Sequence, residues 1–319
     1  MSDATVAVLV ERRGAHVAQP TLEALTLART LGRPVAVWLG DEPPAAGIEE
    51  LARYGAEEVR FAVAGDELRL PTAAAAALEA AAADASVVVV VSTFANKEIA
   101  TRLALKNGAG MVVDTAGAEW VEGRLETIQT VFAATWNVRT RINAERAIVG
   151  VRPNTTQAAV AQTPGAGTLV AVDVEVPPTR ETIVAVTPQA AADGVPLSEA
   201  SVVVSGGRGT RGDYTLVREL ADILGGAVGA SRDATDEGWI GHEHMVGQTG
   251  TTVTPALYVA CGISGAVHHR GGMQASGTIV AINIDPEAPI FEIADFGVVG
   301  DLNDVLPQAI ERLREHRAS

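Results

Sequence analysis

Cysteine is nearly absent. The chain of 319 residues has one, Cys261, which excludes an internal disulfide and argues against a cysteine-ligated metal or iron–sulfur centre. Aromatic residues are also scarce, at 4% against a hydrophobic content of 47%. A core of Val, Ala, Leu and Ile is the usual material of a buried parallel sheet covered by small-residue helices. Positive charge is short: 24 Lys and Arg stand against 39 Asp and Glu, a net charge of −15. No basic cluster is present to neutralise phosphates, so no nucleic-acid partner is expected. The acidity favours solubility and docking against a basic surface. No apolar run approaches the roughly 20 residues that cross a bilayer. The opening MSDATVAVLVE carries no basic segment of the signal-peptide kind. The expectation is a cytoplasmic protein with no membrane insertion.

What is present is alternation. TVAVLVE (5–11) reads as a strand, and 19–31 as a helix with Ala24, Leu27, Ala28 and Leu31 on one face and Gly32 as its stop. PVAVWL (34–39) is a second strand. A short helix near 49–53 leads to EVRFAV (58–63), and an alanine-rich helix over 72–83 precedes the five valines 87–91. β-Branched residues in an unbroken run fit a strand buried on both faces, and the repetition predicts right-handed βαβ crossovers. From 118 to 151 the segments shorten and alternate in polarity, as in a more antiparallel continuation. A proline-rich stretch follows, with a strand over 169–176 and an exposed connection near 177–198. A second βα series runs from SVVVS (201–205) to a C-terminal helix over 302–314. These elements make an α/β chain, long enough for one large domain or two ordinary ones.

The second half carries glycine-punctuated turns at strand ends, where ligands bind in α/β sheets. SVVVSGGRGTRGD holds Gly207-x-Gly209-x-x-Gly212 with Arg208 inside it. This formally matches a dinucleotide fingerprint, and it equally describes a tight turn with no ligand. GAVGASRDA delivers Ser231 and Arg232, and MVGQTGTTV offers Gln248 and Thr249. LYVACGISGAVHHRGGM places Ser264, Gly265 and the bases His268, His269 and Arg270 after an apolar strand. A helix starting there would present free N–H groups to an anion. Asn283 and Asp285 end another apolar strand, and Asp301 precedes the last helix, where an N-cap is the plainer role. The four imidazoles of GHEHM and His268–His269 lack His-Glu-x-x-His spacing, so no metal site is expected. Gly262-Ile263-Ser264-Gly265 lacks the spacing of a serine nucleophile.

In order, VVVSGGRG, VGASR, VGQTG, LYVACGISGAVHHRGGM and IVAINIDPEAPIFEIADFGVVGDL closely resemble the C-terminal half of the electron-transfer flavoprotein alpha subunit. The stretch 257–302 is the most distinctive. The first 190 residues agree more loosely, through the order of elements and the fragment NKEIATRLALKNGA. The resemblance implies an α/β architecture in two domains: an N-terminal Rossmann-like (nucleotide-hydrolase-like) domain, 1–190, that packs against a beta subunit, and a C-terminal doubly wound parallel-sheet domain, 199–319, that holds FAD. It puts the FAD contacts on Arg208, Ser231, Arg232, Val246, Gly247, Gln248, Thr249, Ser264, Gly265, Ala266, Val267, His268, His269, Asn283, Asp301 and Leu302. Arg232, Gln248, Thr249 and His269 would lie around the isoalloxazine. Ser264, Gly265, Ala266, Asn283 and Asp301 would hold the pyrophosphate and adenosine end. Cations or donors beside a flavin's N1–C2=O edge favour its reduced state, and Arg232 and His269 suit that task.

The resemblance further implies an electron carrier rather than an enzyme. It would pass electrons from flavin dehydrogenases, such as the acyl-CoA dehydrogenases of fatty acid β-oxidation, to a membrane quinone oxidoreductase or another acceptor. His268 stands where glutamine is common and Arg270 where an apolar residue is common, adding positive charge near the ring. Rival readings are an electron-bifurcating form of the complex, an NAD-linked oxidoreductase using Gly207, Gly209 and Gly212, and a stress-type nucleotide-binding module suggested by the N-terminal half.

Overall fold

A computed structural model describes residues 4–13, 16–132, 135–187 and 195–318. Part of the connection expected near 177–198, residues 188–194, lies outside the described residues. The chain divides into two compact units, Met1–Gln129 with Asn137–Pro188, and Thr130–Trp136 with Gln189–Ser319.

The first unit opens with β1 (Thr5–Leu9), a two-residue antiparallel pair β2 (Arg12–Arg13) and β3 (His16–Val17), then α1 (Gln19–Leu31) and β4 (Arg33–Leu39). It continues with α2 (Ala45–Arg53), β5 (Glu58–Ala62), α3 (Pro71–Ala81), β6 (Val87–Val91) and α4 (Phe94–Asn107). The remaining strands are β7 (Gly110–Val121), β8 (Arg124–Val131), β9 (Trp136–Ile142), β10 (Ala147–Val151) and β11 (Thr168–Val172), and the sheet order is β11-β5-β4-β1-β6-β10-β7-β8-β9. The helix α1 matches the bounds its periodicity predicts. No helix is predicted over α4, whose ends are nonetheless well marked: the Thr93 hydroxyl accepts from Asn96 N–H, and Gly108 closes it in the left-handed region.

The expectation of antiparallel strands after residue 118 holds for β7 with β8 and fails for β10. β10 runs parallel between β6 and β7, paired to both, and all five of its residues are buried. Polarity alternation reports which faces of a strand are wet, not which way its neighbour runs, and AIVGV carries no alternation at all.

The second unit contains β12 (Val202–Gly206), α5 (Thr215–Leu224), β13 (Ala227–Ala230), α6 (Arg232–Asp236), β14 (Leu257–Cys261), α7 (Val267–Met273), β15 (Thr278–Asn283), β16 (Phe296–Val299) and α8 (Leu302–Ala318). Its sheet, β13-β12-β14-β15-β16, is parallel throughout. The period of two divides each strand between two cores. Val203, Tyr258, Ala260 and Ala281 face a layer with Met273 and Ile290, while Val204, Val259, Cys261 and Ile282 face Val217, Leu220, Leu302 and Leu306 from α5 and α8. Strand order reverses between β12 and β14, so the crevice beyond their carboxyl ends is the topological switch point of this sheet.

Candidate functional site

That crevice is open. A cavity of about 690 Å³ lies over it, within the size range of cofactor sites. The loop after β12 contributes Arg208 and Arg211, and the end of β13 brings Ser231 and Arg232 with Asp233 and Asp236. The loop after β14 contributes Ser264, Ala266, His268 and His269, and the ends of β15 and β16 add Asn283, Asp285, Asp301 and Leu302. Every strand of the sheet delivers part of the lining, because parallel strands put all their carboxyl ends on one edge.

Of the residues expected from sequence, Val246, Gly247, Gln248, Thr249, Gly265 and Val267 do not line this cavity directly. The 246–249 turn instead abuts α7: Gln248 N–H donates to the His268 carbonyl (2.9 Å), and the Gln248 amide oxygen lies 3.0 Å from His268 Nδ1. The contact is close because it is made of glycines. A Cβ on Gly272 would stand 2.3 Å from the Cα of Gly247. Gly265 has φ +83°, and a Cβ there would reach 2.5 Å from the Ile290 backbone nitrogen. Packing against Ile290, rather than approach to a phosphate, is thus enough to require a glycine at this position.

The charges are mixed. Three arginines line the cavity against four aspartates, Asp233, Asp236, Asp285 and Asp301. Arg208 Nε lies 3.1 Å from Asp233, and Arg232 Nε 3.2 Å from Asp236, one helical turn on. Both pairs are exposed and individually weak. Asp233 is the acid that a dinucleotide fingerprint would need on a ribose; here it sits on α6 and faces an arginine. Asp301 accepts from Asn303 N–H, which holds its carboxyl below the usual range, and Asp285 accepts from Glu287 N–H. Asn283 donates to the Ile263 carbonyl at 2.8 Å, fixing the loop after β14. The backbone N–H groups of Ser264, Gly265 and Ala266 in that loop donate to no backbone carbonyl among the described residues, so they are available to an anion.

The sequence leaves the charge of His269 open, and its surroundings decide it. It is 6% exposed, and burial pushes its pKa down to about 4, so it is a neutral imidazole near pH 7. Its Nε2 lies 2.9 Å from the Tyr258 hydroxyl. Arg270 pairs with Glu292 at 2.7 Å and is not part of the cavity lining, so its charge is offset locally. Sequence reasoning missed Arg211, Asp236 and Tyr258. The four-residue spacing of Arg232 and Asp236 on a helix was a readable signal, whereas Tyr258 reads as one more core residue of an apolar strand.

Comparison with known proteins identifies the family. Residues 6–177 match the family model described as electron transfer flavoprotein domain, and residues 196–274 match the electron transfer flavoprotein FAD-binding domain. The chain is 41% identical to the electron transfer flavoprotein subunit alpha of Mycobacterium leprae, over 97% of this chain and 98% of that one. It is 35% identical to the subunit alpha of Bacillus subtilis, over 97% of each. It is also 35% identical to Protein FixB of Clostridium saccharobutylicum, over 97% of this chain and 96% of that one.

Proposed function

The chain belongs to the electron transfer flavoprotein alpha-subunit family, and from that premise we propose that it carries electrons with FAD held in the switch-point cavity of its second unit. The observation that carries this reading is the open cavity on the unit that matches the FAD-binding model. The residues present fit the group: arginines and unpaired backbone N–H groups for a pyrophosphate, and polar side chains such as Ser231 and Asn283 elsewhere in the lining.

Bound FAD supplies electron transfer in single or paired steps. Ser264, Gly265 and Ala266 would hold the pyrophosphate through backbone N–H groups, with Arg208 and Arg211 supplying charge. Asn283, Asp301 and Leu302 would line the adenosine end. Arg232, with Gln248 and Thr249 from the turn that abuts α7, would border the isoalloxazine. Arg232 would supply a permanent positive charge there, and His269 a neutral donor. Val246, Gly247, Val267 and His268 would complete the wall, with Ser231 capping the short helix that carries Arg232.

The proposal extends to partners. The chain works as a heterodimer with a beta subunit, accepts electrons from flavin dehydrogenases such as acyl-CoA dehydrogenases, and hands them to a membrane quinone oxidoreductase or another acceptor. No substrate is transformed at its own site. No helix among the described residues is long and apolar enough to cross a membrane.

The test is to purify the chain with its beta subunit, without added cofactor, and count flavins. The expected result is a yellow complex whose FAD is lost when the cavity residues are changed. A colourless complex that binds NAD tightly would refute the reading, and two flavins per heterodimer would point to the electron-bifurcating form.

A further inference from the structure

The charges of the cavity do not add up in favour of an anionic cofactor. Arg208, Arg211 and Arg232 stand against Asp233, Asp236, Asp285 and Asp301, which leaves one negative charge in excess. A pyrophosphate brings more. Three of the four carboxylates are tied down by the fold. Asp301 accepts from the backbone and the side chain of Asn303 at the start of α8, and Asp285 accepts from Glu287 N–H. Asp236 accepts from Arg232 Nε, four residues back on the same helix. Asp233 has no such tie. The cap of α6 is the Ser231 hydroxyl, and the Asp233 carboxylate has Arg208 as its one side-chain partner among the described residues.

That pair crosses from the loop after β12 to the first turn of α6. Nε and the carboxylate oxygen lie 3.1 Å apart, with both side chains more than half exposed, so their attraction is worth little in water. It is an ion pair without the hydrogen-bond geometry that Arg232 and Asp236 achieve. A phosphate offers the same guanidinium two parallel N–H···O bonds, the stronger arrangement. The carboxylate and the phosphate would draw on one cation, and their mutual repulsion opposes sharing it. We infer that Asp233 competes with the pyrophosphate of the cofactor for Arg208, and so sets how firmly the cavity holds FAD. This rests on the reading that FAD binds here, and it names a determinant of the affinity. Arg208 trades its carboxylate for a phosphate, and Asp233 is released to solvent at the rim.

The experiment titrates FAD into the heterodimer stripped of its flavin and reads the change in flavin fluorescence. Asp233→Asn keeps the shape and removes the charge, and should bind FAD about two- to fivefold more tightly, the fold-change that an exposed ion pair is worth. In an Arg208→Gln background the same change should bring no gain, because the contested cation is gone. Asp233→Glu keeps a carboxylate within reach of Arg208 and should stay near wild type, so the comparison holds even where Arg208→Gln binds too little FAD to titrate. Weaker binding in Asp233→Asn overturns the proposal, since Asp233 would then support Arg208 rather than compete for it. A gain that persists in full without Arg208, or an equal gain in Asp233→Glu, also overturns it. A wild-type complex that takes up no flavin would sink the cofactor reading and this inference together. Uptake with the same affinity in wild type and Asp233→Asn would sink this inference alone.

Discussion

In the first unit the winding reverses between β1 and β6; in the second it reverses between β12 and β14. Both crevices lie beyond strand carboxyl ends, the place where α/β sheets bind ligands, yet they are built differently. The first is filled by the protein's own polar groups. Glu11 N–H donates to the Thr21 hydroxyl at 2.8 Å, the Asn96 amide bonds the Glu11 carboxylate, and the same amide donates to the Val91 carbonyl at 3.0 Å. Asn96 and Thr21 are buried. The second crevice is lined by Arg208, Arg232, Ser264 and Asn283 and stays open over about 690 Å³. A switch point is thus a permissive position, and the side chains at its rim determine whether it becomes core or site. Where a buried amide satisfies both a carboxylate and a carbonyl, removing it costs more than leaving a gap; where glycines hold the turns, the space remains.

The contrast is broken most severely at Gly265. In Gly265→Val the side chain must adopt φ near +83° and displace the Ile290 backbone, a cost on the order of 3 kcal/mol or more. Flavin should be lost after gel filtration, and the unfolding midpoint of the apo chain should also fall. Flavin loss with an unchanged apo midpoint would show that the glycine serves the cofactor alone.

Acid should separate the crevices next. His269 has a pKa of about 4 when folded against an ordinary 6.5. The unfolded chain therefore binds the proton more readily, and stability falls as pH drops from about 6.5 to about 4, by up to roughly 1.4 kcal/mol per pH unit. Above pH 7 this group contributes no slope. Unfolding curves of the wild type and His269→Gln across that window measure the difference, and parallel curves would mean that the imidazole is not held neutral.

The smallest effect belongs to the filled crevice. Asn96→Ala strips the amide from Glu11 and Val91 and should destabilise the chain by about 1–3 kcal/mol while leaving FAD content unchanged. Denaturant titration and flavin absorbance on one preparation check both halves. Loss of flavin without loss of stability would reverse the assignment of roles to the two crevices.

Much of this arrangement is legible along the chain. The helix 19–31 shows its apolar face and glycine stop, the five valines declare a strand buried on both sides, and the glycine turns stand at strand ends in the second half. Local periods and breakers encode these features, so they survive without neighbours. The direction of β10, the filling of the first crevice and the partners of Arg208 and Arg232 depend on residues far apart in sequence. Asn96 lies 85 positions from Glu11, and Arg208 lies 25 before Asp233.

By itself, then, the amino-acid order determined the α/β class, the switch from one βα series to another, the glycine-turn pattern and the family to which it points. Only the tertiary structure decided that His269 is neutral, that Arg270 is offset by Glu292, that Gly265 answers to Ile290, and that one crevice is open and the other filled. The physical reason is common to all four. Charge state, steric necessity and empty space depend on what surrounds a group, and burial brings together atoms that the chain keeps apart.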